Sequence, residues 1–136
     1  MLRNVLYLMV GAVVLAGCVV SVHNMGECAT EGGQDRVLRH VVLFKFKDGT
    51  SSQQIREIEN AFRALPDKVD AICDFEWGTD VSAENLQQGF THCFLVTFRS
   101  EADRAEYLPH PAHKEFGEML GPYLDKVLVV DYWAKR

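Results

Sequence analysis

The most informative stretch of this 136-residue chain is the run VLRHVVLFKFK, which occupies positions 37–47. β-branched and aromatic residues dominate the run, and it ends at Asp48-Gly49, a pair typical of turns, so it predicts a first β-strand. Apolar side chains fall on both faces of this strand: Leu38, Val42, Phe44 and Phe46 on one side, and Val37, Val41 and Leu43 on the other. Both faces of such a strand must therefore be buried against other parts of the protein.

A helix is predicted directly after this strand. Ser51 and Gln54 have the spacing of a capping box, and the helical pattern ends at Pro66. The apolar residues that recur at helical spacing between these points are Ile55, Ile58, Phe62 and Leu65.

The remaining elements follow in a clear order. The sequence predicts strands over 71–78 and 91–99, a short helix from Ser100 to Leu108, a further helix up to Gly121, and a last strand over 126–133. Pro109-His110-Pro111 separates the two helical stretches.

A hairpin that pairs Gly78 near Thr91 would leave Cys73 and Cys93 about 10 Å apart, beyond disulfide reach.

The predicted order, β-α-β-β-α-β, is typical of an α+β, ferredoxin-like protomer with an antiparallel sheet whose first and third strands are central. Its helices can cover only one face of that sheet. The last strand is also apolar on both faces. We therefore expect a homodimer, in which two sheets pack face to face about a twofold axis.

Composition excludes several classes of protein. The chain is 48% apolar and 24% charged, which is too apolar for a disordered segment. Its net charge of −5 and the lack of a basic block argue against nucleic-acid binding, which requires a basic face.

The N-terminal segment predicts export. Residues 1–17 have a short positive start followed by an apolar run too short to span a bilayer, as in a signal peptide. Leu15-Ala16-Gly17-Cys18 resembles the lipobox of bacterial lipoproteins, which implies lipidation of Cys18 and a membrane anchor. Residues 18–35 contain this cysteine and a linker, and residues 36–136 form the domain. Val19 favours the periplasmic face of the outer membrane if the source is Gram-negative.

Five blocks of the domain resemble a known family in both order and spacing. They are HVVLFKFK at 40–47, WG at 77–78, GFTH at 89–92, VTF at 96–98 and YLPHPAH at 107–113. On these blocks, residues 36–136 resemble the Dabb family, the stress-responsive dimeric α/β-barrel domains. The resemblance implies ferredoxin-like protomers whose sheets join into a dimeric α/β barrel, which agrees with the two-faced first strand.

Polar residues among apolar ones are the candidates for chemistry. His40 and His92 interrupt apolar strand faces, where burial would favour the neutral ring, although either could be a core histidine bonded to a backbone carbonyl. Tyr107 and His113 flank the proline break and together could supply a weak acid and a base. Tyr107 could instead be a structural core residue, and His110 could be a helix cap.

The family resemblance adds roles for these residues. A plant member cyclises a linear polyketide by aldol condensation without a metal or organic cofactor. By resemblance to it, His113 would be the base, Tyr107 its partner, and His92 and His40 assisting residues. The apolar residues expected to line a ligand cavity are Phe44, Phe62, Ile58, Val96 and Phe116.

Three function classes remain open from the sequence. The domain could bind a small apolar molecule, act as a cofactor-free acid/base enzyme of the cyclase or monooxygenase kind, or be a purely structural dimer. No cofactor is expected, and a structural zinc site is not expected because His110 and His113 lack a clear third ligand. Neither magnesium nor haem binding can be decided from these residues.

Overall fold

The computed structural model describes residues 36–135 of the chain. The predictions of a signal peptide, a lipidated Cys18 and a linker fall on residues 1–35, outside the described residues. The elements are β1 (Leu38–Phe46), α1 (Ser52–Arg63), β2 (Asp74–Thr79), β3 (His92–Phe98), α2 (Glu101–Tyr107), α3 (Pro111–Leu120), a 3₁₀ turn (Gly121–Tyr123) and β4 (Leu124–Trp133).

The four strands form one antiparallel sheet in the order β2-β3-β1-β4. This arrangement is the ferredoxin-like α+β fold, and the prediction that the first and third strands are central is confirmed. β4 is an edge strand along its whole length, paired only with β1 among the described residues. That position leaves β4 open to a ligand or partner.

The helices begin where the sequence places their caps. Ser51 caps α1 and forms the predicted capping box with Gln54, while Ser100 caps α2. His110 caps α3 by accepting a hydrogen bond from the Ala112 N–H, so its predicted alternative role as a helix cap is confirmed. None of the helices within residues 36–135 is long and apolar enough to cross a bilayer.

The hydrophobic core lies between the helices and one face of the sheet. Stacked and tilted aromatic rings form its centre, with Phe62 and Phe94 only 4.3 Å apart between ring centroids. The fully buried residues of this core include Phe44, Ile58, Phe62, Leu65, Val69, Phe94, Val96, Phe98 and Tyr107. Burial of this apolar surface is the main force that holds helices and sheet together.

Two details of the β2–β3 hairpin differ from the sequence-based expectation. β2 begins at Asp74 rather than Ala71, because Ala71 is buried in the turn that follows α1. Gly78 pairs with Cys93 rather than near Thr91, a shift of two residues that simple alternation cannot detect. Cys93 is a free thiol, so the prediction that it does not bond to Cys73 is confirmed.

The outer face of the sheet, defined as the face without helices, carries apolar side chains from three strands. They are Val41, Leu43, Leu95, Leu128, Val130 and Tyr132. The three on β4 are each nearly half exposed. The expectation that both faces of the first and last strands are apolar is therefore confirmed.

Candidate functional site

A cavity of about 430 Å³ opens on the helix side of the sheet, at the edge formed by β4. Val127 and Val129 share this side of the sheet, yet they remain 49% and 45% exposed because the helices do not cover the edge strand. The lining is mostly apolar and includes Val42, Phe44, Phe62, Phe116, Leu120, Leu124, Val127 and Val129. The polar lining residues are His40, Tyr107, His113 and Asp131. An apolar cavity with a few convergent polar groups fits a small organic ligand.

A chain of charged and polar groups forms one wall. His40 on β1 lies directly opposite Asp131 on β4, and its Nδ1 is 2.7 Å from Asp131 Oδ1. The other carboxylate oxygen of Asp131 is 3.2 Å from a guanidinium nitrogen of Arg104 on α2. Asp131 therefore joins the sheet to α2 and holds the buried His40 ring in place.

The break between α2 and α3 positions the other two polar side chains. Tyr107 is the last residue of α2, and Pro111 begins α3 after a connection of only three residues. The missing N–H of Pro111 costs nothing at the first helical position. His113, in the first turn of α3, hydrogen-bonds through Nδ1 to the Leu108 carbonyl oxygen at 3.0 Å. A carbonyl only accepts, so Nδ1 carries the proton and Nε2 has the free lone pair.

Three rings come together at this point. The Tyr107 and His113 ring centroids are 4.3 Å apart, and those of Tyr107 and His40 are 6.0 Å apart. Tyr107 is almost completely buried and also packs against Phe98. The structure therefore brings together three of the four predicted catalytic residues: His40, Tyr107 and His113.

Burial has opposite effects on the two groups best placed for proton transfer. Burial lowers the pKa of His113 below its ordinary value of 6.5. The hydrogen bond to the Leu108 carbonyl raises this pKa, and the nearby His40 and His110 lower it. Burial raises the pKa of Tyr107 well above its ordinary value of 10. At neutral pH the pair therefore consists of a neutral imidazole that can accept a proton and a phenol that can donate a hydrogen bond.

His92 does not belong to this cavity. It lies opposite Phe44, four residues along the sheet from the position of His40, or about 13 Å at 3.3 Å per residue. Its Nε2 is 2.9 Å from Glu59 Oε1 and its Nδ1 is 2.8 Å from the Thr91 hydroxyl oxygen. His92 is thus a buried histidine with partners of its own, and the predicted fourth member of the site is separate from the other three.

Three of the five predicted apolar contacts line the cavity: Phe44, Phe62 and Phe116. Ile58 and Val96 are fully buried in the core and do not line it. Asp131 was missed, although the sequence carried a signal for it. Within the predicted strand over 126–133, Asp131 is the one charged residue that alternates with Val127 and Val129. The pairing of Asp131 with His40 follows only from the strand register.

The described residues contain no group of three or more His, Cys, Asp or Glu side chains arranged to hold a metal ion. His110 and His113, the pair with zinc-like spacing, are engaged through Nδ1 with the backbone of Ala112 and Leu108.

Comparisons with known proteins place these features in context. The sequence profile of the stress responsive A/B barrel domain, Dabb, matches residues 38–134. The chain is similar to the stress-response A/B barrel domain-containing protein HS1 of Arabidopsis thaliana, with 47% identity over 70% of this chain and 87% of that protein. It is also similar to olivetolic acid cyclase of Cannabis sativa, with 33% identity over 73% of this chain and 98% of the cyclase.

Solved structures give the same fold. The hydroxynitrile lyase of Passiflora edulis superimposes with a TM-score of 0.69 and 30% identity, over 73% of this chain and 94% of the lyase. A dimeric ferredoxin-like protein of unknown function from Jannaschia sp. CCS1 superimposes with a TM-score of 0.63 and 26% identity, over 71% of this chain and 97% of that protein.

Proposed function

Because this chain belongs to the Dabb family of stress responsive A/B barrel domains, we propose that its cavity binds a small apolar carbonyl compound and catalyses proton transfer on it without a cofactor. The observation that carries this proposal is the pairing of Tyr107 and His113, with ring centroids 4.3 Å apart in the lining of an apolar cavity. One group is poised to accept a proton and the other to donate a hydrogen bond.

Binding would rest on the apolar walls. Removing apolar ligand surface from water contributes about 25 cal/mol per Å². The polar residues at one end of the cavity would orient the ligand, with its carbonyl oxygen near Tyr107. Asp131 and Arg104 act through His40, which makes them positioning residues in this proposal.

The chemical step would be removal of a proton from the carbon next to the carbonyl. His113 Nε2 takes that proton, and the C–H electron pair moves to form an enolate. The Tyr107 hydroxyl donates a hydrogen bond to the enolate oxygen, whose negative charge it stabilises. The enolate then takes back a proton from His113 at carbon, or its carbon attacks a second carbonyl carbon of the ligand. In the second case the C=O π electrons move to that carbonyl oxygen, which takes the proton from His113. The names of two similar proteins, a cyclase and a lyase, support an enzymatic role for this fold.

The test uses phenylacetone, an apolar ketone with an acidic methylene group, and the full-length chain in D₂O. We expect proton NMR to show catalysed exchange of the methylene hydrogens for deuterium. His113→Ala should slow the catalysed exchange about 100-fold, since general base catalysis typically contributes factors of 10² to 10⁴. Lys114→Ala, the next position on α3 with its side chain exposed, is the matched control and should exchange at the wild-type rate.

A second candidate function, simple binding of an apolar molecule, is favoured by the mostly apolar lining of the cavity. It predicts that phenylacetone binds to wild type and to His113→Ala with similar affinity and that neither protein speeds exchange. If the ketone does not bind at all, both candidates fail and a purely structural role remains.

We also propose that two chains form a homodimer through the outer face of the sheet. The apolar side chains in the middle of this face are flanked by polar pairs, Lys45 with Asp125 at one end and Arg39 with Thr97 at the other. An apolar centre with a polar rim is the usual anatomy of a protein interface. The solved Jannaschia structure, which is described as dimeric, supports this assembly.

The location of the protein is the last part of the proposal. The lipobox-like sequence Leu15-Ala16-Gly17-Cys18 supports lipidation of Cys18 and attachment to the cell envelope. In a bacterial host, Cys18→Ser should abolish incorporation of labelled palmitate and move the protein out of the membrane fraction. Equal palmitate labelling of the variant, or a soluble wild-type protein, would contradict the anchor.

A further inference from the structure

Two glycines line the cavity: Gly117, which lies in α3, and Gly121, which directly follows this helix. The lining residues from this helix and its end are His113, Phe116, Gly117, Leu120 and Gly121. Their spacing of three and four residues is that of a single helix face. Two of the five positions on this face therefore present no side chain to the cavity.

Neither glycine is required by the backbone. Among the described residues, the glycines with positive φ are Gly49 and Gly89, whereas Gly121 has a φ of −48° in the right-handed helical region. Gly117 lies inside the helix, where glycine is less stable than alanine because the unfolded chain has more conformational freedom to lose. Gly117 therefore makes α3 less stable than alanine would, although the backbone conformation at this position does not require glycine.

Crowding does not explain these glycines either. Apart from the adjacent residues and the backbone of the helix itself, a Cβ atom added at Gly117 or at Gly121 would meet no heavy atom within 4 Å. By contrast, a Cβ at Gly89 would come within 2.8 Å of the Lys45 side chain. Gly117 and Gly121 are both exposed and both line the cavity, about one turn and two turns beyond His113, so each leaves the cavity wall without a side chain at its position.

We infer that Gly117 and Gly121 set the width of the cavity and thereby admit broad ligands, such as fused two-ring carbonyl compounds, to His113. The inference rests on the proposed function, because it concerns the same cavity. A methyl group at either position would narrow the wall beside the ligand. Broad ligands should lose affinity, and narrow ligands should be little affected.

The test compares two arylacetones of different width, phenylacetone and 2-naphthylacetone, on the full-length chain. Isothermal titration should show that Gly117→Ala weakens 2-naphthylacetone binding about tenfold and changes phenylacetone binding less than threefold. Gly121→Ala should act in the same direction and serves as the second variant. Glu118→Ala, an exposed position on the same helix outside the cavity, should leave the ratio of the two affinities unchanged.

Thermal unfolding supplies a readout that needs no ligand. Gly117→Ala should raise the Tm by about 2–8 °C, because alanine fits the helix and meets no neighbour. A lower Tm would show that the added methyl group is crowded and would overturn the inference. A higher Tm with both affinities unchanged would also overturn it and leave the proposed function intact. Failure of both ketones to bind wild type would instead contradict the proposed function, and this inference with it.

Discussion

At the scale of single residues, His113 shows how a short-range contact and burial together prepare a base. The Leu108 carbonyl fixes the proton on Nδ1, and the surrounding cavity wall lowers the pKa of the ring. The result is an imidazole whose Nε2 stays unprotonated at pH values where an exposed histidine would begin to take up a proton. Tyr107 complements it, because burial keeps its hydroxyl protonated.

The lowered pKa of His113 predicts a specific dependence of stability on pH. Below pH 6.5 the unfolded chain protonates this histidine, whereas the folded protein does not until the pH reaches the lowered value. The unfolded state then binds more protons, so the free energy of unfolding falls as the pH falls through this window. Above pH 6.5 neither state is protonated there, and the contribution is constant.

Urea denaturation of wild type and His113→Gln at pH 7.5 and at about pH 5.5 measures this effect. When the pH is lowered from 7.5 to about 5.5, the free energy of unfolding should fall more for wild type than for His113→Gln. The difference between the two decreases is the contribution of His113, because the other histidines are present in both proteins. Lys114→Gln should behave as wild type. Equal pH dependence in wild type and His113→Gln would contradict the lowered pKa.

At the scale of elements, the junction between α2 and α3, residues 108–110, determines how Tyr107 and His113 are placed relative to each other. His110 caps α3 through the Ala112 N–H, three residues before His113. The Pro111 ring favours the start of the helix at this point. The geometry of this short connection brings Tyr107, at the end of one helix, against His113, at the start of the next.

Loss of this cap should affect function as well as stability. His110→Ala should lower the free energy of unfolding by about 1 kcal/mol and should also slow deuterium exchange into phenylacetone, because the first turn of α3 carries His113. Ser51→Ala removes the cap of α1 at a similar cost in stability, yet it should leave exchange unchanged. Asn is also a good helix cap, so His110→Asn should restore both properties. Equal effects of the Ser51 and His110 variants on exchange would refute this role of the junction.

At the scale of the whole molecule, the sheet has two apolar faces with different uses. The helix side forms the core and the cavity, and the outer face remains uncovered in a single protomer. An uncovered apolar surface of this kind promotes association. Packing of two outer faces would remove it from water and leave each cavity open at its β4 edge.

The two faces of β4 allow a matched test of the dimer. Leu128→Asp places a charge on the outer face, where we expect it to convert the dimer to a monomer in sedimentation velocity. Val127→Asp changes the neighbouring residue on the opposite face, with similar exposure of 49% against 45%. That variant should remain dimeric and bind phenylacetone more weakly, because Val127 lines the cavity. A wild-type protein that sediments as a well-folded monomer at high concentration would contradict the assembly.

The sequence by itself determined the order of elements, the ferredoxin-like fold and the helix caps, because periodicity, capping residues and prolines act over a few neighbouring residues. It also identified Tyr107 and His113, which share one short junction. Strand register, and with it the pairing of His40 with Asp131, was decided only by the tertiary structure, since a strand can shift by two residues without changing its pattern of faces. The open cavity wall at Gly117 likewise depends on which distant elements meet.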